Sequence, residues 1–172
     1  MGAMFITNVV LRCLLFVFLT ICMGLTGSLI NGAMFGNPQV NFMMFASAFG
    51  LLFGCMYGIL AMFISFLAFP FVIAAIDFLV CVFAFSGATA LAVAIRVHSC
   101  TNDAYVMSNK VAQNSTDRCR KAQADTVFMY FSFICALVAL VVSISSAMRT
   151  GWGTLPSKSR PAAAPAPVMA QV

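Results

Sequence analysis

Between Arg12 and Asp77 the chain carries no charged residue. A helix that crosses a bilayer needs roughly 20 consecutive apolar residues at about 1.5 Å each, so this interval alone holds more than one span. Composition points the same way. Of 172 residues, 63% are hydrophobic and only 8% charged, where soluble domains run near half apolar and about a quarter charged. A water-soluble fold of this size could not hide that much apolar surface, so lipid must solvate most of it. The net charge of +5 sits on few residues, mostly in one loop and the C-terminal tail. It is flanking charge on a membrane protein and no nucleic-acid face.

The apolar runs place four spans at about 9–30, 40–63, 70–97 and 126–148. The first is too long for a cleaved signal peptide and has no small-x-small cleavage site before polar sequence, so it reads as a retained signal-anchor. Asn31, Gly32, Gly36, Asn37 and Pro38 mark the turn after it. Pro70 suits the first turn of the third span. The polar stretch 98–125 is a loop, and from residue 150 a Pro- and Ala-rich tail reads as disordered. A membrane β-barrel requires alternation of apolar and polar residues, and these runs are apolar all round. The expected architecture is an all-α four-helix membrane bundle.

Ala46, Gly50, Gly54 and Gly58 recur every fourth position on span two. Gly24, Ser28 and Gly32 do so on span one, and Ala84, Ala88 and Ala92 on span three. Such ridges let backbones approach closely where the hydrophobic effect does not drive helix association. They serve either packing within one bundle or contact with a second copy in a homo-oligomer. Phe63, Phe66, Phe69 and Phe71 crowd the short link between spans two and three, as lipid-facing helix ends or as an apolar wedge in the headgroup region.

Counting basic residues near span ends leaves the orientation almost tied. The tails offer Arg12, Arg149, Lys158 and Arg160; the loop offers Lys110, Arg118, Arg120 and Lys121, with Arg96 at its edge. Two features break the tie. Cys100 and Cys119 bracket the loop as a disulfide would in an oxidising compartment, and Asn114-Ser115-Thr116 is an N-glycosylation sequon. Together they favour an extracellular loop and cytoplasmic termini. On that reading Lys158 and Arg160 would attract anionic inner-leaflet lipid weakly.

Chemistry is scarce. The chain has one histidine, His98, four Asp and no Glu. His98 and Cys100 make a poor zinc site without further ligands, and no Gly-rich phosphate loop follows a strand. No metal or catalytic residue is expected, and an enzyme is disfavoured. A transporter usually places several ionisable groups at membrane depth; here Asp77 qualifies, with Arg12 and Arg96 at the margins. A pore shared by several subunits stays open as an alternative. Arg12 to Leu19 matches a proposed inverted sterol-contact motif, for which a basic residue capping a Phe-bearing span is the simpler account. Asp77, two turns beyond Pro70, must reach the interface, pair with Arg12 or Arg149, or be protonated, because a bare buried charge is costly.

One family resembles this chain in detail. Tyr57-Gly58, Asp77-Phe78-Leu79, Ile95-Arg96-Val97-His98-Ser99-Cys100, Ser108-Asn109-Lys110, Arg118-Cys119-Arg120 and Gln123-Ala124 are similar to the fungal four-span MARVEL-domain proteins of the non-classical export protein type. The resemblance runs from the first span to Phe133 and weakens in the tail. It departs where the family pattern carries polar residues, at Phe53-Gly54-Cys55 and at Val80, so no role of polar groups there is carried over. Claudins and tetraspanins do not fit: the first loop lacks Trp and Cys, and the large loop lacks Cys-Cys-Gly. The resemblance implies a plasma-membrane protein of eisosome-associated, sterol- and sphingolipid-related compartments. Such a protein organises furrow-like domains, with links to sphingolipid-responsive signalling. Membrane lipids, a bound sterol or sphingolipid, further copies of the chain and eisosome scaffold proteins are the partners it implies.

Overall fold

The computed structural model describes residues 2–64, 67, 69–96 and 98–150. Helix α1 covers Gly2–Asn31. The second span is composite: α2 over Pro38–Phe49, a π-helical segment over Gly50–Tyr57, and α3 over Gly58–Phe63. Helix α4 covers Pro70–Ile95, α5 covers Asp103–Ser108 and α6 covers Thr116–Thr150. Four of these stretches are long and apolar enough to cross a membrane, and no strand occurs among the described residues. With no water to satisfy the backbone in lipid, helices that close their own hydrogen bonds are the form an all-round apolar run must take.

Helix ends follow local chemistry. Asn37 caps α2, its Oδ1 accepting from the Gln39 and Val40 amides at 3.0 and 3.4 Å, and Pro38 follows at N1. Pro70 opens α4 in the same way. At its far end α4 stops on Arg96, a left-handed residue with φ 50° and ψ 19° where glycine is usual.

Two boundaries depart from expectation. The fourth span begins at Thr116, about ten residues before the apolar run, so the last ten residues of the 98–125 loop are helical. These residues form helix well although they are polar, and Asp117 pairs with Lys121 one turn on at 2.7 Å; hydropathy is blind to such an extension. Helix α1 likewise starts at Gly2, because nothing in residues 2–8 breaks it. Thr150 is still helical, and the tail expected to be disordered, with Lys158 and Arg160, lies outside the described residues from 151 on. Phe66 of the short link lies outside them too.

The spans close into a ring in which α1 packs on α2 and α6, and α4 packs on α2 and α6. Spans one and three therefore face each other across the bundle axis. The ridge on span two points into this ring. A Cβ on Gly50 would meet Leu19 Cδ1 at 2.6 Å, one on Gly54 would meet Val80 Cγ2 at 3.2 Å, and Ala46 is buried against Gly87 of α4. Its partners are thus the protein's own helices. The span-one series behaves otherwise: Gly24, Ser28 and Gly32 are exposed, and nothing lies within 4 Å of a Cβ built at Gly24. The other two meet long polar side chains of α6, Lys121 Nζ donating to Ser28 Oγ at 3.1 Å and Arg118 Nη1 lying 3.1 Å from a Cβ at Gly32. Outward, the second span and α4 carry a run of touching rings, Phe45, Phe49 and Phe53 with Phe83, the Phe49–Phe83 centroids 4.9 Å apart.

The loop is tied down at several points. Cys100 and Cys119 are bonded, with Cα atoms 5.8 Å apart, and form a small core with Tyr105, Val106 and Ala112. The Tyr105 hydroxyl donates to Ile95 O, and Asn109 Nδ2 donates to Ala94 O at 2.9 Å, so α5 is fastened to the end of α4. Gln113 reaches the link between spans one and two, accepting from the Met34 amide at 2.8 Å and donating to Phe35 O at 3.0 Å.

Candidate functional site: a polar lock joining four spans

Arg12 enters the bundle from α1 and is 1% exposed; Asp77 enters from α4 and is 2% exposed. The guanidinium grips the carboxylate with two parallel bonds, Nη1 to Oδ1 at 2.6 Å and Nη2 to Oδ2 at 2.8 Å. Such fork-to-fork pairing is the strong form of a charged hydrogen bond. The second Nη1 proton goes to Gly54 O at 2.6 Å, and Ser143 Oγ of α6 donates to Asp77 Oδ2 at 2.6 Å. Groups from all four spans thus converge on one ion pair, Arg12 and Ser143 bonding the carboxylate and Gly54 O taking the remaining Nη1 proton. Of the alternatives open for Asp77, burial excludes interfacial exposure, and Arg12 is the partner. Arg149 is exposed at the end of α6; Ser143, nearly two turns earlier, takes the place open to it.

Span two makes room for this lock. A Cβ on Gly58 would lie 2.8 Å from Arg12 Nε and 2.9 Å from its Cζ, so only glycine leaves space for the guanidinium plane. The neighbouring π-helical segment contains Gly54, whose carbonyl turns toward Arg12. Single π turns inside helices recur at functional positions because they release backbone groups from the regular ladder. The ridge read as packing therefore has a second use: its last two members seat a charge. Arg12 Nε, also buried, has no hydrogen-bond partner among the described residues.

A second polar cluster lies nearer the loop. Asp125 of α6 is fully buried, and Thr26 Oγ1 of α1 sits 2.7 Å from both Asp125 Oδ2 and Cys22 O. With an ionised carboxylate, one hydroxyl proton is shared between both acceptors. Each contact is a full two-centre hydrogen bond when the carboxyl carries a proton and donates to Thr26, which then donates to Cys22 O.

Sequence reading found Arg12 and Asp77 but missed Ser143, the Gly54 carbonyl and the Thr26–Asp125 pair. Asp125 could have been flagged, since it stands immediately before the apolar run of the fourth span; a serine such as Ser143 within a long helix carries no signal of its own. Asn114 is exposed and left-handed, with φ 60°. No group of three or more metal-ligating side chains occurs among the described residues.

Comparison with known proteins places this geometry in a family. A model of the MARVEL membrane-associating domain matches residues 5–142. Non-classical export protein 2 of Saccharomyces cerevisiae is 44% identical over 83% of this chain and 82% of its own length. Non-classical export protein 102 of Candida albicans is 46% identical over 97% of this chain and 98% of its own. A Schizosaccharomyces pombe homologue of non-classical export protein 2 is 32% identical over 73% and 69%. No solved structure matches.

Proposed function

Because this chain belongs to the MARVEL family of membrane-associating domains, within its fungal four-span branch, we propose that it is a non-enzymatic organiser of plasma-membrane lipid domains. The domains in question are sterol- and sphingolipid-related compartments and eisosome-type furrows, with a link to sphingolipid-responsive signalling. The observation that carries this reading is the Arg12–Asp77 lock. A transporter holds ionisable groups at membrane depth ready for a substrate or a proton; here the two charges are closed on each other and used to fasten helices. What faces lipid is apolar and rich in Phe, including Phe45, Phe53, Phe78 and Phe85. A bundle fastened at its core with an aromatic outer surface suits gathering lipids and proteins, including further copies of itself, bound sterol or sphingolipid, and scaffold proteins of the furrow.

The Cys100–Cys119 bridge supports an extracellular loop and cytoplasmic termini. A membrane-impermeant amine reagent applied to intact cells should then label Lys110, which is exposed, and spare Lys158.

Reconstitution in giant vesicles that separate into ordered and disordered phases tests the main reading. The organiser shifts domain area or boundary and leaves ion and small-solute flux at the level of empty vesicles. Flux above that level with unchanged domains would replace it by the oligomeric pore. The relatives' names favour a second reading, a role in unconventional export. Loss of one leaderless cargo from the medium on deletion, with lipid domains intact, would support it.

A further inference from the structure

At the loop end of the bundle, away from the polar lock, lies a cavity of about 680 Å³ between the start of α2, the end of α4 and α5. We propose that this cavity binds a phosphate-bearing anion, either the headgroup of a lipid in the leaflet that borders the loop or a soluble phosphate ester.

Three cationic or protonatable side chains line it, Arg96, His98 and Lys110, and none of the chain's four Asp residues does. Arg96 and Lys110 are exposed, and neither belongs to an ion pair among the described residues. Such convergence of unpaired cations on a concave wall is what a multiply oxygenated anion requires, and the planar guanidinium suits phosphate in particular. The α2 N-terminus adds its partial positive charge through Asn37 and Gln39, although the first free amides are already taken by the Asn37 side chain.

The backbone at Arg96 is the second sign. It is the left-handed cap of α4, a position where glycine would relieve the strain. An arginine there keeps strain in exchange for a guanidinium over the cavity, and strain of this kind clusters at ligand sites. The wall is also rigid before any ligand arrives. Tyr105 and Asn109 are bonded to the last carbonyls of α4, the disulfide closes the loop, and the His98 ring stacks edge-on against Tyr105 at 5.1 Å. The volume lies in the range of sites for small ligands, so it takes a phosphate with a polyol- or sugar-sized substituent. Val93, 69% exposed on the last turn of α4, forms the edge toward lipid, where acyl chains could follow the helix down. This site is independent of the organiser reading, since a pore-forming protein with the same cavity would bind the same anion.

The test uses the full chain in mild detergent, titrated separately with short-chain phosphatidylinositol, short-chain phosphatidylcholine and inositol 1-phosphate, with affinity read by native mass spectrometry. The wild type should bind phosphatidylinositol at least tenfold more tightly than phosphatidylcholine. Arg96→Gln with Lys110→Gln should lose at least tenfold, and Arg120→Gln, an exposed cation on the first turns of α6 outside the cavity, should lose less than twofold. Arg96→Gly separates binding from folding: it should bind more weakly while melting at the same or a higher temperature. Inositol 1-phosphate binding as tightly as the lipid would assign the site to soluble esters; much weaker binding assigns it to headgroups. Equal affinity for the two lipids, wild-type affinity in the Arg96→Gln/Lys110→Gln variant, or an equal loss in Arg120→Gln would overturn the proposal.

Discussion

Arg12 and Asp77 stand 65 positions apart in the chain and meet in two bonds of 2.6 and 2.8 Å at the axis of the bundle. Removing one member leaves the other charged and buried, at a cost of about 3–5 kcal/mol. Arg12→Gln and Asp77→Asn should each lower detergent-solubilised stability by that order. The double variant should lose clearly less than the sum, because the second substitution removes the orphan left by the first. Thermal unfolding of the four proteins checks this, and strict additivity would mean that the two groups do not interact.

Gly58 offers a test in which the sign is unusual. In a helix interior, Gly to Ala normally gains up to about 1 kcal/mol. Here the new methyl would sit 2.8 Å from Arg12 Nε, so Gly58→Ala should instead lose about 1–3 kcal/mol by overpacking. In an Arg12→Ala background the same change should become neutral or stabilising. Melting temperatures of the three variants against wild type give the answer.

The two buried aspartates should respond oppositely to amide substitution. Asp77 accepts from three donors, two on Arg12 and one on Ser143, and an amide nitrogen there would face donors. Asp125 meets Thr26, whose single proton also faces Cys22 O; a protonated carboxyl that donates to Thr26 frees that proton for Cys22 O, and an amide can do the same. Asp125→Asn should stay within about 1 kcal/mol of wild type, whereas Asp77→Asn is strongly destabilising. Equal losses would sink the proton assignment at Asp125.

The loop bridge is the simplest to measure. Intact mass of protein kept from reductant should be two hydrogens below the fully reduced value, and Cys100 and Cys119 should share one proteolytic fragment pair. Cys100→Ser should cost on the order of 3 kcal/mol, as expected for closing a loop of this length. The five other cysteines, Cys13, Cys22, Cys55, Cys81 and Cys135, are free and should be unaffected by mild reduction.

Hydropathy by itself determined that this chain spans a membrane four times as helices, because lipid leaves an unbroken apolar run no other way to satisfy its backbone. The turn residues Asn37, Pro38 and Pro70 were legible for the same reason: their effect is local and needs no partner. The start of α6 at Thr116 was not, since polar residues that extend a helix look like loop to any measure of hydrophobicity. The small-residue ridge was visible as a ridge, but its direction was undecided until the ring of helices turned Gly50, Gly54 and Gly58 inward. Which partner Asp77 would take was equally open, because pairing depends on rotation and depth across the bundle. Only the tertiary structure set span one opposite span three, brought Arg12 within reach and carried Ser143 to the same carboxylate; none of those distances is encoded in the spacing of residues along a single helix.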